Sequence, residues 1–141
     1  MRHRLLLTLA AIALLTTTIP LLAQGQEHDH GVRLLAFGSE EMAYIRLPGG
    51  TFVWPQSEVL GGSRPRVILD FPGINNWNEA YLPTGGGDII RRIRTYLHND
   101  EARLRVVLDL AEPPQHYALS LSYETDPQGA EITVSAIPLD H

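Results

Sequence analysis

Two clusters in this chain carry side chains that could do chemistry. Between Ile89 and Arg105 stand five arginines, Arg91, Arg92, Arg94, Arg103 and Arg105, against only Asp100 and Glu101. That is a local charge of +3 inside a chain whose formal charge is -5. Planar guanidinium groups bind carboxylates bidentately, so a face carrying Arg92, Arg94, Arg103 and Arg105 beside the ring of Tyr96 suits a ligand that offers both carboxylates and sugar faces. The alternative is that these arginines neutralise acids of the protein itself. The second cluster is the run from Ile74 to Tyr81, with Asn75, Asn76, Trp77, Asn78 and Tyr81. Amides bond hydroxyls and an aromatic ring stacks on the apolar face of a pyranose, so Asn76, Trp77 and Tyr81 are candidate sugar contacts. A large aromatic in a loop can equally close one end of a small core.

Other chemistry is looked for without success. There is no Cys, which excludes disulfides, thiolate metal sites and a Cys nucleophile. The sequence lacks G-x-S-x-G, H-E-x-x-H and Walker patterns, and Gly85 to Gly87 have no following Lys and Ser or Thr to complete a phosphate cradle. His98 and His116 stand alone, and His28 and His30 flank Asp29 in a polar stretch that offers no rigid scaffold for a metal. No catalytic residue, metal site or cofactor is expected. All eleven basic residues are Arg, and the acidic balance argues against a general nucleic-acid binder.

The elements that must position these clusters begin with an address. Arg2 and Arg4 precede an apolar run from Leu5 to Leu15, then three Thr, Ile19 and Pro20, which is the order of a secretory signal rather than of a span of about 20 apolar residues. Cleavage is expected after Ala23, giving a periplasmic protein. Leu21 is bulkier than the small residue preferred at its position, so an uncleaved anchor is the alternative. Removal of residues 1 to 23 takes away Arg2 and Arg4 and leaves nine Arg against sixteen acids, a charge of -7 on 118 residues. Residues 24 to 31 (QGQEHDHG) contain no apolar side chain and read as a flexible leader. A chain of this length buries one core and not two.

From Val32 onward, turn formers interrupt the chain every eight to fifteen residues, from Pro48-Gly49-Gly50 to Asp126 to Gly129. Strands are predicted near 32–37, 42–47, 51–60, 66–71, 89–97, 103–110, 116–123 and 131–137. Tyr117, Leu119, Leu121 and Tyr123 share one face of their segment, as do Ile132, Val134 and Ala136 of theirs, so an all-β fold of two packed antiparallel sheets follows. Asp88 to His98 is ambiguous, because Ile89, Ile93 and Leu97 also fit a helix that Asp88 could cap. Arg66 to Phe71 (RVILDF) and Arg105 to Leu110 (RVVLDL) form an internal repeat at an offset of 39 residues. Each copy turns Val67, Leu69 and Phe71, or Val106, Leu108 and Leu110, to the core and its Arg and Asp to the other face. Four residues of strand separate that Arg and Asp by about 13 Å, so each needs a partner from a neighbouring strand or from outside.

These motifs carry a resemblance. RVILDFPG at Arg66 to Gly73, the Ile93-Arg94 pair, and RVVLDL at Arg105 to Leu110 followed by Tyr117 come in the order found in the AMIN domain. Val32 to Pro138 is similar to that module, which precedes the catalytic domain of periplasmic N-acetylmuramoyl-L-alanine amidases and occurs in pilus secretins. The resemblance implies two β-sheets with internal symmetry, a strand around the Ile-Arg pair, and association with peptidoglycan or with another cell-envelope protein. The amidases continue into a zinc-dependent catalytic domain whereas this sequence stops at His141, so what is implied is a binding module without the enzyme.

Overall fold

A computed structural model describes residues 30–48, 53–83 and 85–140. The expected signal segment, the expected cut after Ala23 and His28 lie outside the described residues. Among the described residues eight strands follow one another: β1 (Gly31–Phe37), β2 (Glu40–Pro48), β3 (Gln56–Leu60), β4 (Arg66–Pro72), β5 (Ile90–His98), β6 (Arg103–Leu110), β7 (Tyr117–Asp126) and β8 (Gly129–Pro138). They form two four-stranded antiparallel sheets, sheet A in the order β1-β2-β8-β7 and sheet B in the order β3-β4-β6-β5. The expected two-sheet, all-β architecture is the observed one. The strand expected over 51–60 begins only at Gln56, because Val53 to Pro55 do not pair and 51–52 lie outside the described residues.

Within the ambiguous stretch Asp88 to His98, Ile90–His98 forms strand β5 and Asp88 and Ile89 lead into it as bends. The spacing of Ile89, Ile93 and Leu97 is a multiple of four and therefore also of two, which is why it fits either element. What decides is pairing with β6, interrupted by a bulge at Arg91 between Ile90 and Arg92. The extra residue resets the alternation, so Ile90 points inward before the bulge and Ile93, Thr95 and Leu97 after it.

The two copies of the repeat pair with each other. Ile68 faces Val107 at the centre, Arg66 faces Asp109 and Asp70 faces Arg105. This register is a local two-fold relation normal to the sheet, and the strand orders of both sheets are symmetric under the same exchange, β4 with β6, β3 with β5, β2 with β8 and β1 with β7. Between the sheets, Val67, Leu69, Phe71, Val106, Leu108 and Leu110 are buried against Ala43, Ile45, Leu47, Ile132, Val134 and Ala136. Along β7, Tyr117 is buried and Leu119 and Leu121 are half-buried, while Tyr123 emerges at the margin.

One charged residue belongs to that interior. Glu41 continues the inward row of Ala43, Ile45 and Leu47 and is 6% exposed. Its carboxylate accepts the N–H groups of Asp88 (2.7 Å), Ile89 (3.0 Å) and Ile90 (2.9 Å). The triple glycine thus leads into a nest of amides that does hold an anion, and the anion is the protein's own. A Cβ on Gly87 would collide with the Glu41 carboxylate and one on Gly86 with the Arg91 backbone, so glycine is required at both.

The last two residues of the stretch expected as a flexible leader, His30 and Gly31, belong to the fold. His30 is 8% exposed, its Nε2 accepts the Asn78 N–H at 2.9 Å, and its ring lies 5.1 Å from Trp77 and 5.2 Å from Tyr81. Gly31 already opens β1 and passes so close to Tyr81 that a Cβ would sit 2.8 Å from the Tyr81 Cβ. A polar residue packed between aromatic rings was not separable from a polar tail by composition.

Leu69→Ala or Leu108→Ala should cost about 2 to 5 kcal/mol in denaturant melts, as expected of fully buried positions. Glu41→Ala leaves three amides at the sheet junction without their acceptor and should cost about 3 kcal/mol or more in the same melts.

Candidate functional site

The outer face of sheet B gathers the arginine cluster. Across it run three rows in register: Gln56, Asp70, Arg105 and Tyr96; Glu58, Ile68, Val107 and Arg94; Leu60, Arg66, Asp109 and Arg92. Arg103 lies beyond the first row, paired with His98 of β5. The five residues expected to share a face, Arg92, Arg94, Tyr96, Arg103 and Arg105, do so.

Their guanidinium groups are not equally available. Arg105 donates from Nε and Nη2 to the two oxygens of Asp70 at 2.9 and 3.0 Å. Arg94 donates likewise from Nε and Nη2 to Asp109, both at 2.8 Å, and from Nη1 to the Tyr96 hydroxyl at 3.0 Å. These are fork-to-fork pairs, the stronger kind of ionic hydrogen bond. The Arg105 hydrogen bond, opposed by partial burial, holds the Asp70 carboxyl below the usual carboxylate range. Ile68 and Val107 point outward between the two pairs, yet are only 8% and 4% exposed. Arginine stems can cover apolar surface while their heads stay in water, and the register sets arginines in the rows on either side of this outward apolar pair.

The two-fold relation breaks at one position. Symmetry would give Asp109 to Arg66, which faces it, but Asp109 is taken by Arg94 from β5 and Arg66 donates instead to the backbone carbonyl of Arg64 at 2.8 Å. Arg103 reaches Glu101 at 3.1 Å, with its Nε buried and without a partner among the described residues. Arg94 and Arg105 are thereby engaged within the protein, as the charge-balancing alternative requires. Arg92 and its bulge neighbour Arg91 are exposed and form no ion pair with another described residue, and Tyr96, four residues further along β5, is 45% exposed.

The second cluster lies elsewhere. Asn76 is exposed, Trp77 is half-buried against the main core, and Tyr81 is half-buried in a 3-10 turn at Glu79–Tyr81. The Trp77 indole N–H donates to the Thr95 hydroxyl at 3.0 Å on the inner side of β5. Trp77 therefore closes the end of the sandwich, and Asn76, Trp77 and Tyr81 do not join the arginine face. The signal for this was Thr95, a buried polar residue in an inward row that needs a partner. Among the described residues no three His, Asp or Glu side chains come together as metal ligands.

A further feature of the outer face had no signal in the strand pattern. A groove of about 450 Å³ is lined by Gln56, Ser57, Glu58, Ile68 and Asp70 at the β3 edge. It lies on the opposite margin of the face from Arg92, three strand spacings or about 14 Å away.

Because the folded-state pKa of Asp70 is depressed, its ion pair stabilises the fold above the unfolded carboxylate value near 3.9 and ceases to do so as pH falls through the folded value. Asp70→Asn should thus be less stable than the wild type in urea at neutral pH, with the gap shrinking as the pH falls below about 4 and through the folded value. No protein-family model matches the chain and no curated protein matches it, so the functional reading rests on the geometry of this face and on the strand motifs.

Proposed function

We propose that this chain is an exported, non-catalytic binding module of the AMIN type that associates with peptidoglycan in the periplasm and helps to localise envelope processes. The observation that carries the reading is the β5 margin of sheet B, where Arg91, Arg92 and Tyr96 are exposed within an otherwise acidic protein. Peptidoglycan stem peptides present carboxylates, which two uncommitted guanidinium groups can receive bidentately. Arg94 donates to the Tyr96 oxygen, which leaves the phenolic hydrogen to donate to a ligand. No cofactor or metal enters this reading, and neither nucleic acid nor membrane is its partner.

A second reading, docking on another envelope protein, has one observation in its favour. β7 is a ten-residue edge strand without Lys, Arg or Pro to discourage pairing, so it could accept an added strand.

Purified protein spun with intact sacculi separates the two. A wall binder pellets, a docking subunit stays in the supernatant, and release of soluble muropeptides would instead point to an enzyme. Arg91→Glu with Arg92→Glu should abolish most pelleting while leaving the melting curve nearly unchanged, and wild-type pelleting should fade with added salt. Arg94→Glu serves as a contrast, since it strands Asp109 and should lower stability as well as binding. Undiminished pelleting by the folded Arg91/Arg92 double variant would exclude this margin.

A further inference from the structure

The two-fold relation within the chain makes two margins of the sandwich equivalent, β1 beside β5 and β7 beside β3. The loop after β4 closes the first, because Trp77 donates to Thr95 of β5 and Tyr81 packs against Gly31 of β1. Among the described residues no loop closes the second in this way. Val59, inward on β3, is half-exposed, and Leu119 and Leu121, inward on β7, are only half-buried. The main chain of β7 is presented there as well. The His116 carbonyl accepts the Leu139 N–H at 2.8 Å, and Tyr117 faces Pro138, which has no N–H. Antiparallel pairs alternate between bonded and non-bonded, so Ala118, Ser120, Ser122 and Glu124 turn their main-chain groups to β8, while Tyr117, Leu119, Leu121 and Thr125 turn theirs away from it.

We infer that β7 pairs antiparallel with β7 of a second copy of this chain, about a two-fold axis at Leu121, so that the two sheets A become one continuous sheet. The occupant follows from what this register sets face to face. Leu121 meets Leu121 of the copy, Leu119 meets Tyr123, Ser120 meets Ser122, Ala118 meets Glu124 and, at each end, His116 meets Asp126. Apolar side chains meet along the inner row, hydroxyls meet on the outer one, an imidazole comes opposite each terminal carboxylate, and no like charges are opposed. Of the two-fold registers open to this strand, the one centred on Leu121 engages the whole run from Tyr117 to Thr125. The half-buried Leu119 and Leu121 are then covered, and the edge that lacks Lys, Arg and Pro is no longer an edge. The pairing itself is independent of the wall-binding reading, and it gives the β7 edge to this chain rather than to a foreign strand. Its consequence for binding rests on that reading. The axis is normal to the sheets, so both copies turn the outer face of sheet B the same way. From β1 of one copy to β1 of the other there are seven strand spacings, about 33 Å, and β5 with Arg91 and Arg92 flanks β1 in each. A polymer with repeated carboxylates can engage both margins at once, which raises avidity without any new contact.

Analytical ultracentrifugation of the purified exported chain, without sacculi, should show a monomer–dimer equilibrium between about 1 and 100 μM. Ser120 and Ser122 are exposed and face each other across the axis, so they can be changed without touching the core. Ser120→Lys with Ser122→Lys should weaken the dimer about tenfold or more while each chain stays folded by circular dichroism, and Ser120→Glu with Ser122→Glu should do the same. An equimolar mixture of the two variants should recover the dimer, because opposite charges then face each other. The register has its own readout, since the chain has no Cys. Leu121→Cys, with Cα atoms about 5.5 Å apart, should oxidise to a covalent dimer, whereas Ser122→Cys, about 8 Å from its copy, should not. A chain that stays monomeric to about 100 μM overturns the pairing and leaves the edge to a foreign strand. Association unchanged in the folded lysine and glutamate variants, or not recovered on mixing them, overturns it too. A dimer that fails to pellet with sacculi supports the pairing and removes only the wall reading, and pelleting by a strict monomer does the reverse.

Discussion

The antiparallel register between β4 and β6 is the constraint on which most of the structure depends. Setting Ile68 opposite Val107 puts Leu69 and Val106 into the interior and Asp70 and Arg105 onto the outside in a single step, because side chains alternate with a period of two. A slip of one residue would bring Arg and Asp into the core and expose Leu, so the charged positions specify the register as firmly as the apolar ones. The bidentate Arg105–Asp70 pair then flanks the outward Ile68 and Val107, both of them buried.

A second constraint joins the sheets. Hydrophobic burial between them is non-directional and would tolerate sliding. Glu41 removes that freedom, since one carboxylate with three amide donors has a narrow geometry. It attaches the centre of sheet A to the entry of β5, and Gly86 and Gly87 are the conformational requirement for that approach. The bulge at Arg91 comes immediately after that junction, and Arg91 and Arg92 are exposed at the sheet margin beside it.

Function on this reading belongs to the side chains that internal pairing leaves over. The outer face of sheet B carries opposite characters at its two edges, carboxylate and amide groups along β3 and uncommitted guanidinium groups along β5, with two ion pairs and an apolar strip between them. Such a face discriminates by the order in which a ligand presents its groups, which a uniform charged surface cannot do.

What the amino-acid sequence determined by itself was the local alternation and its punctuation. The inward positions of Val67, Leu69, Phe71, Val106, Leu108 and Leu110 follow from a period of two between turn formers, whereas the gathering of Arg92, Arg94, Tyr96, Arg103 and Arg105 on one side followed only once the resemblance made the segment before Asn99 a strand. Tertiary structure alone decided who partners whom. Asp109 bonds Arg94 rather than the facing Arg66 because β5 lies beside β6, and strand order is a long-range property that no window of residues contains. For the same reason Glu41 could not be recognised as the anion of the glycine-rich turn 46 residues later, nor His30 as a buried acceptor rather than part of a polar tail. Trp77 shows the same limit in the other direction, a loop aromatic among amides in sequence that the position of Thr95 draws against the core.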